Sequence, residues 1–209
     1  MKIYDISQEL LECVVFPGDP EPEKITLMKK SEGAVCNLSA LKMCAHNGTH
    51  VDAPYHFIDE GKTIDEVDIN KFVGYAYVAE HSGDITKDDA MDILKKADIV
   101  AETYAKNNGL DICDNAGNRI LIKGNAVLTE EAAKVLADRH IFLFGNESQT
   151  VGPEDAPQNV HMIMLGAEIV LLEGIRLRDV DEGVYILNAA PVNVKGADGS
   201  PCRAILMSL

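Results

Sequence analysis

The apolar positions of this chain fall into short, branched runs separated by polar turns rather than into long periodic stretches. Several runs have the length and branching of strands: Lys2–Ile6, Val35–Ala45, Val73–Ala79, Arg119–Ile122, Ile141–Phe144, Ile169–Leu172, Val184–Leu187 and Cys202–Met207. Helix signals lie between them. Thr86-Lys87-Asp88-Asp89 opens one helix, with Thr86 placed to cap and Asp89 three residues on. Thr129-Glu130-Glu131 opens a second, and Ala132, Ala133, Val135 and Leu136 give it one apolar face. A third covers Val160–Ala167 and leads directly into the Ile169–Leu172 run. Strands mixed with helices predict an α/β or α+β domain, and the order of the strands is not encoded in the pattern. Pro17-Gly18-Asp19-Pro20 has the proline–glycine order of a type II turn. Ala197-Asp198-Gly199-Ser200-Pro201 sits between two strand-like runs and reads as a hairpin connection.

No internal repeat, low-complexity tract or Ser/Pro linker divides the chain, so residues 1–209 are expected to form a single domain. Apolar residues make up 46% and charged residues 25%, which excludes disorder as the main state. The net charge of −15 repels phosphate backbones and anionic lipid, so neither nucleic acid nor a membrane is an expected partner. Most of this acidity reads as solvated surface, with a minority of carboxylates available to a metal. Cys13, Cys36, Cys44, Cys113 and Cys202 are scattered and form no C-x-x-C pair, so neither a disulfide framework nor a thiolate zinc site is expected. Met1–Leu10 lacks the apolar run of a signal peptide, and no stretch approaches the ~20 residues of a membrane span. A reducing cytoplasm is the expected setting.

The chemistry is concentrated in one segment. His46, His50, Asp52 and His56 lie close together in a chain with 6 histidines. Gly48 and Pro54 interrupt any helix there, so a strand with a tight, glycine-bearing loop is expected. In extended chain His50 and Asp52 project to the same side. Two imidazoles and a carboxylate suit Zn²⁺, with Mn²⁺ or Fe²⁺ as alternatives where oxygen ligands are added. Thr49 and His56 are candidates for supporting or proton-transfer roles. Each histidine taken singly also fits a surface or hydrogen-bonded role.

His46-Asn47-Gly48-Thr49-His50-Val51-Asp52-Ala53-Pro54-Tyr55-His56 resembles the H-x-G-T-H-x-D-x-P-x-H signature of the cyclase family, which includes bacterial kynurenine formamidases and isatin hydrolases. Tyr4-Asp5-Ile6-Ser7, Phe16-Pro17-Gly18-Asp19, the stretch from His161 to Glu173, and Asp198-Gly199-Ser200-Pro201-Cys202-Arg203-Ala204 are similar to further elements of that family. Residues 80–118 match poorly. The resemblance implies a swivelling β/β/α fold of the α/β class, with a mixed sheet and flanking helices. It implies that His46, His50 and Asp52 bind a first divalent metal, Zn²⁺ or Mn²⁺, and that Asp52 leans toward a second site shared with His161 and Glu173. A glutamate closing the apolar run Ile169–Leu172 needs a partner in any case, either a metal or a cation such as Arg176.

This set supports hydrolysis of a small amide, lactam, lactone or ester at a C–N or C–O bond. An ion of this kind lowers the pKa of bound water to about 7, and the hydroxide attacks the carbonyl carbon. The resemblance gives His56 the role of general acid/base; a histidine that merely hydrogen-bonds a ligand carboxylate is the competing reading. A non-catalytic metal- or ligand-binding protein, or a dehydratase or cyclase, remains open as an alternative. Phe16 stands where the family has tryptophan, and fits either a substrate-stacking or a turn-anchoring role. Lys123-Gly124-Asn125 and Gly145–Val151 also depart from the family pattern, so the metal chemistry transfers better than the substrate. A homo-oligomer, dimer or tetramer, is implied by the resemblance alone.

Overall fold

The apolar runs Arg119–Ile122 and Ile169–Leu172 are buried on both faces, as strands in the middle of an α/β sheet must be. The computed structural model describes residues 1–110 and 116–208. Its strands are β1 (Lys2–Asp5), β2 (Glu23–Met28), β3 (Leu38–Lys42), β4 (His50–Asp52), β5 (Val73–Glu80), β6 (Gly83–Ile85), β7 (Arg119–Lys123), β8 (Ala126–Leu128), β9 (Leu143–Asn146), β10 (Val170–Glu173), β11 (Gly183–Asn188), β12 (Gly199–Pro201) and β13 (Ile205–Ser208). Its α-helices are α1 (Lys87–Asn108), α2 (Glu130–Asp138) and α3 (Gln158–Gly166). Among the described residues nine strands form one mixed sheet in the order β1-β13-β11-β5-β7-β9-β10-β4-β12. The central strands β5, β7, β9 and β10 are mutually parallel, and the flanking pairs are antiparallel.

Alternation along the central strands sorts their side chains to two cores. Tyr77, Ile120, Ile122, Phe144 and Leu171 pack toward the helix layer, against Leu94 and Ala97 of α1, Leu136 of α2 and Met164 of α3. Ala76, Val78, Leu121, Leu143 and Leu172 point to the other face, under Phe72, Ile175 and Leu177 from irregular segments. Helix α1 begins with a complete capping box between Thr86 and Asp89. Phe16–Asp19 closes a turn through Asp19 N–H to the Phe16 carbonyl, with Gly18 at φ +101°, as a type II turn requires.

The expected strands and helices are present, with differences at the margins. Val35–Ala45 contributes only β3, which pairs with β2 in an exposed two-stranded ribbon. The expected hairpin connection Ala197–Pro201 is corrected: Gly199–Pro201 is β12, which adds an antiparallel edge to β4. Its Asp-Gly-Ser-Pro composition is turn-like, but pairing with β4 overrides that preference. Strand β4 is itself too short for any periodicity to reveal. Cys13, Cys36, Cys44 and Cys202 are unpaired, while Cys113 lies outside the described residues.

Candidate metal centre

Strand β4 carries the densest chemistry and is held on both edges. Val51 between its two polar residues is wholly buried in the core, so His50 and Asp52 emerge together on the opposite face. Glu173, the last residue of β10, stands directly across the ladder from His50. The turn before β4 places Gly48 at φ +67°, a left-handed conformation suited to glycine, and returns His46 over the same face. His161 comes from the first turn and a half of α3, and His56 from a short 3₁₀ turn at Pro54–His56.

Hydrogen bonds to main-chain carbonyls fix two of the tautomers. A carbonyl only accepts, so His50 Nδ1–H donates to Gly48 O at 3.0 Å and His161 Nδ1–H donates to Pro157 O at 2.9 Å. Both rings therefore turn Nε2 inward. His50 Nε2 lies 3.4 Å from both Asp52 Oδ1 and Glu173 Oε2. His161 Nε2 lies 3.2 Å from Glu173 Oε1 and 3.7 Å from Asp52 Oδ2. His46 Nδ1 is 2.8 Å from Asp52 Oδ1. Lone pairs facing carboxylates repel unless a positive charge lies between them. Burial disfavours charge on His46, yet the Asp198 and Asp52 carboxylates push its pKa up to about 10. Burial likewise opposes charge on His50, and Asp52 and Glu173 push it up to about 10. His161 is raised by Glu173 and Asp52 against the same burial. Burial would raise Asp52, but His46 and His50 hold its carboxyl well below the usual range.

The donor set fits a divalent cation. Asp52 Oδ2 is buried and has no hydrogen-bond partner, which costs free energy unless a cation satisfies it. Among the described residues two groups, His46–Asp52–His56 and His50–Asp52–Glu173, bring nitrogen and carboxylate donors within 4.8 Å of one another and share Asp52. Nitrogen and oxygen donors of this kind suit Zn²⁺ or Mn²⁺. Arg176 does not pair with Glu173; its guanidinium donates to the carbonyls of Glu147 and Ile175, while Glu173 Oε1 accepts the Val151 amide at 3.0 Å. Thr49 is also diverted: its hydroxyl donates to Gly174 O and accepts from the Gln8 amide, which ties the turn to β10.

The histidines open onto a cavity of about 240 Å³ walled by Phe16, Phe57 and Pro157. A larger cleft of about 520 Å³ between residues 5–10 and Pro201–Arg203 has no histidine in its lining. Phe16 lines the histidine cavity while its carbonyl closes the turn, so both expected roles are geometrically open to it.

The sequence profile of the family described as "Putative cyclase" matches residues 4–153. The chain belongs to the cyclase family. Over 209 residues it is 32% identical to a kynurenine formamidase of Geobacillus thermodenitrificans, covering 98% of this chain and 97% of that protein. A kynurenine formamidase of Salinibacter ruber is 29% identical, with 99% and 97% covered. Among solved structures, a potential metal-dependent hydrolase with cyclase activity superposes with a TM-score of 0.75 at 27% identity, covering 98% of this chain and 96% of the other. Isatin hydrolase A from Labrenzia aggregata shares the fold, with a TM-score of 0.77 at 21% identity and coverage of 98% and 93%.

Within this cyclase-family chain every residue singled out from the signature lies in or beside one cluster. Two neighbours went unassigned. Phe57 sits 4.7 Å, ring to ring, from both His56 and His161. Asp198 bonds to His46 and His56. The only signal for Asp198 was its place in the C-terminal motif, where it reads as a turn residue.

Proposed function

We propose that this chain is a metal-dependent hydrolase of a small amide or ester, kynurenine formamidase-like, acting as one domain over residues 1–209. The observation that carries this reading is the buried, unpartnered Asp52 Oδ2 amid three inward-turned histidines. His46, His50 and Asp52 would hold a first cation, and Asp52, His161 and Glu173 a second. A bound Zn²⁺ or Mn²⁺ supplies Lewis acidity, activating water at neutral pH and polarising the carbonyl.

The protein's own groups do the rest. His56 is the general acid/base that passes a proton to the leaving nitrogen or oxygen. It is the most accessible of the clustered histidines, its side chain 27% exposed against 1% for His50 and 4% for His161. Phe57 packs edge-on against the His56 ring and limits its rotation. Phe16 and Pro157 shape a small apolar wall, and Phe16 would stack on a planar substrate.

The test is metal analysis followed by turnover of N-formylkynurenine, isatin and simple lactones. Stoichiometric metal with turnover of one of these supports the hydrolase. His56→Ala is expected to retain its metal and lose about 10²–10⁴-fold in kcat. Unchanged turnover in that variant removes His56 from the reaction, and full metal without turnover on the whole panel favours a binding protein. We further place the protein in the cytoplasm as a homo-oligomer. No helix among the described residues is long and apolar enough to cross a membrane, and the exposed ribbon β2–β3 offers a surface for a second copy.

A further inference from the structure

Asp198 joins two histidines that the proposed reaction uses differently. Its Oδ2 lies 2.9 Å from His46 Nε2 and 3.3 Å from His56 Nδ1. The two rings are stacked, with centroids 4.0 Å apart and planes at 26°, so one carboxylate oxygen reaches the edges of both. A carboxylate accepts, so each ring meets it with an N–H. His46 Nδ1 faces the Asp52 carboxylate at 2.8 Å in the same way; with the proposed cation in place of the proton between them, His46 keeps its proton on Nε2 and offers Nδ1 to that cation. His56 carries its proton on Nδ1 and keeps Nε2 for exchange with substrate. The carboxylate is itself held in place by the sheet. The Asp198 carbonyl accepts the Ala53 amide at 2.9 Å, just beyond the end of β4, and the following Gly199 pairs with Asp52.

We propose that Asp198 is a positioning residue that sets the tautomers of a metal-ligating and a proton-transferring histidine through one oxygen. Metal-binding histidines commonly donate their second N–H to a carboxylate, and loss of that partner weakens metal affinity about 10–100-fold. What is particular here is that the same oxygen also orients the acid/base, so metal binding and proton transfer share a single support. This inference rests on the proposed roles of His46 and His56.

The test compares Asp198→Asn and Asp198→Ala with the wild type and in a His56→Ala background. Asn preserves the volume, and the side chain is 44% exposed, so folding is expected to survive; thermal unfolding checks this, and the Ala variant carries the same readings if Asn fails. Zn²⁺ affinity, measured by competition with a chromophoric chelator, should fall about tenfold or more in both backgrounds. Nitrogen-15 spectra of the imidazoles, which need no substrate, should show His56 protonated on Nδ1 in the wild type and as mixed tautomers in Asp198→Asn. On N-formylkynurenine at saturating Zn²⁺, kcat should drop with KM nearly constant, and the drop should vanish once His56 is absent. Unchanged affinity, an unchanged tautomer, or an equal kcat loss without His56 would each overturn the proposal. Failure of the functional reading looks different: the metal-loaded wild type would turn over nothing on the panel, or His56→Ala would turn over normally.

Discussion

A Cβ at Gly199 would lie 2.7 Å from His46 Cε1 and 2.8 Å from the Val51 carbonyl oxygen, distances no packed side chain tolerates. Gly199→Ala must therefore displace either the ring or the backbone of β4. A loss of about 1–3 kcal/mol in urea unfolding and weaker Zn²⁺ binding are expected; a variant with wild-type affinity would show that the His46 ring is free to move. A second prediction concerns pH. His46 and His50 are raised to about 10 in the fold, while an unfolded histidine titrates near 6.5. Their carboxylate pairing contributes its full stability below about pH 6.5, and that contribution is lost as pH rises toward about 10. A cation competes with the same protons, so metal affinity must run the other way and increase with pH. Chelator titrations across about pH 6–8 check this, and a flat profile would exclude these histidines as ligands. At this scale His46, His50, Asp52 and His56 stand out in the sequence as a dense set around a glycine turn, whereas His161 and Glu173 are singled out chiefly by the family resemblance; the fold brings all six together. Asp198 was not legible, because Asp before Gly is ordinary turn chemistry and its histidine partner lies 152 residues away.

The elements divide along similar lines. Central strands announce themselves by continuous apolar runs, since both of their faces are buried, and α1 by its capping box. Strands β4, β6, β8 and β12 have three residues each, fewer than any periodicity test can use, and exist because a neighbour pairs with them. The two kinds of element predict different mutant behaviour. Leu172 is a fully buried residue of β10 and directly precedes Glu173. Leu172→Ala is expected to cost about 2–5 kcal/mol and to loosen the metal centre as well. Thr86→Ala removes the cap of α1 at a cost of about 1 kcal/mol, without change in metal affinity. Chemical unfolding with paired metal titrations separates the two; equal effects on affinity would mean that the centre responds to global stability alone.

The whole molecule presents two further handles. Leu27 and Leu41 on the β2–β3 ribbon are 56% and 59% exposed, and a lone two-stranded ribbon is marginal in water. For the proposed homo-oligomer, Leu27→Lys with Leu41→Lys is expected to shift analytical ultracentrifugation toward monomer; a wild type that already sediments as a monomer would remove the oligomer, and an unchanged oligomeric mass would place the contact elsewhere. Sheet topology has a consequence in time. Strand β4 is made early, but its two neighbours, β10 and β12, are made late. At about 5–20 residues per second, a ribosome completes Asp198 roughly 8–30 s after His46. Until β10 is made, which takes up most of that interval, the histidine-rich segment has no sheet to join, and any metal it meets finds loose side chains rather than a shaped cage. Selectivity for the ion and the aim of His56 thus arrive together, when one of the last strands closes over the first half of the chain.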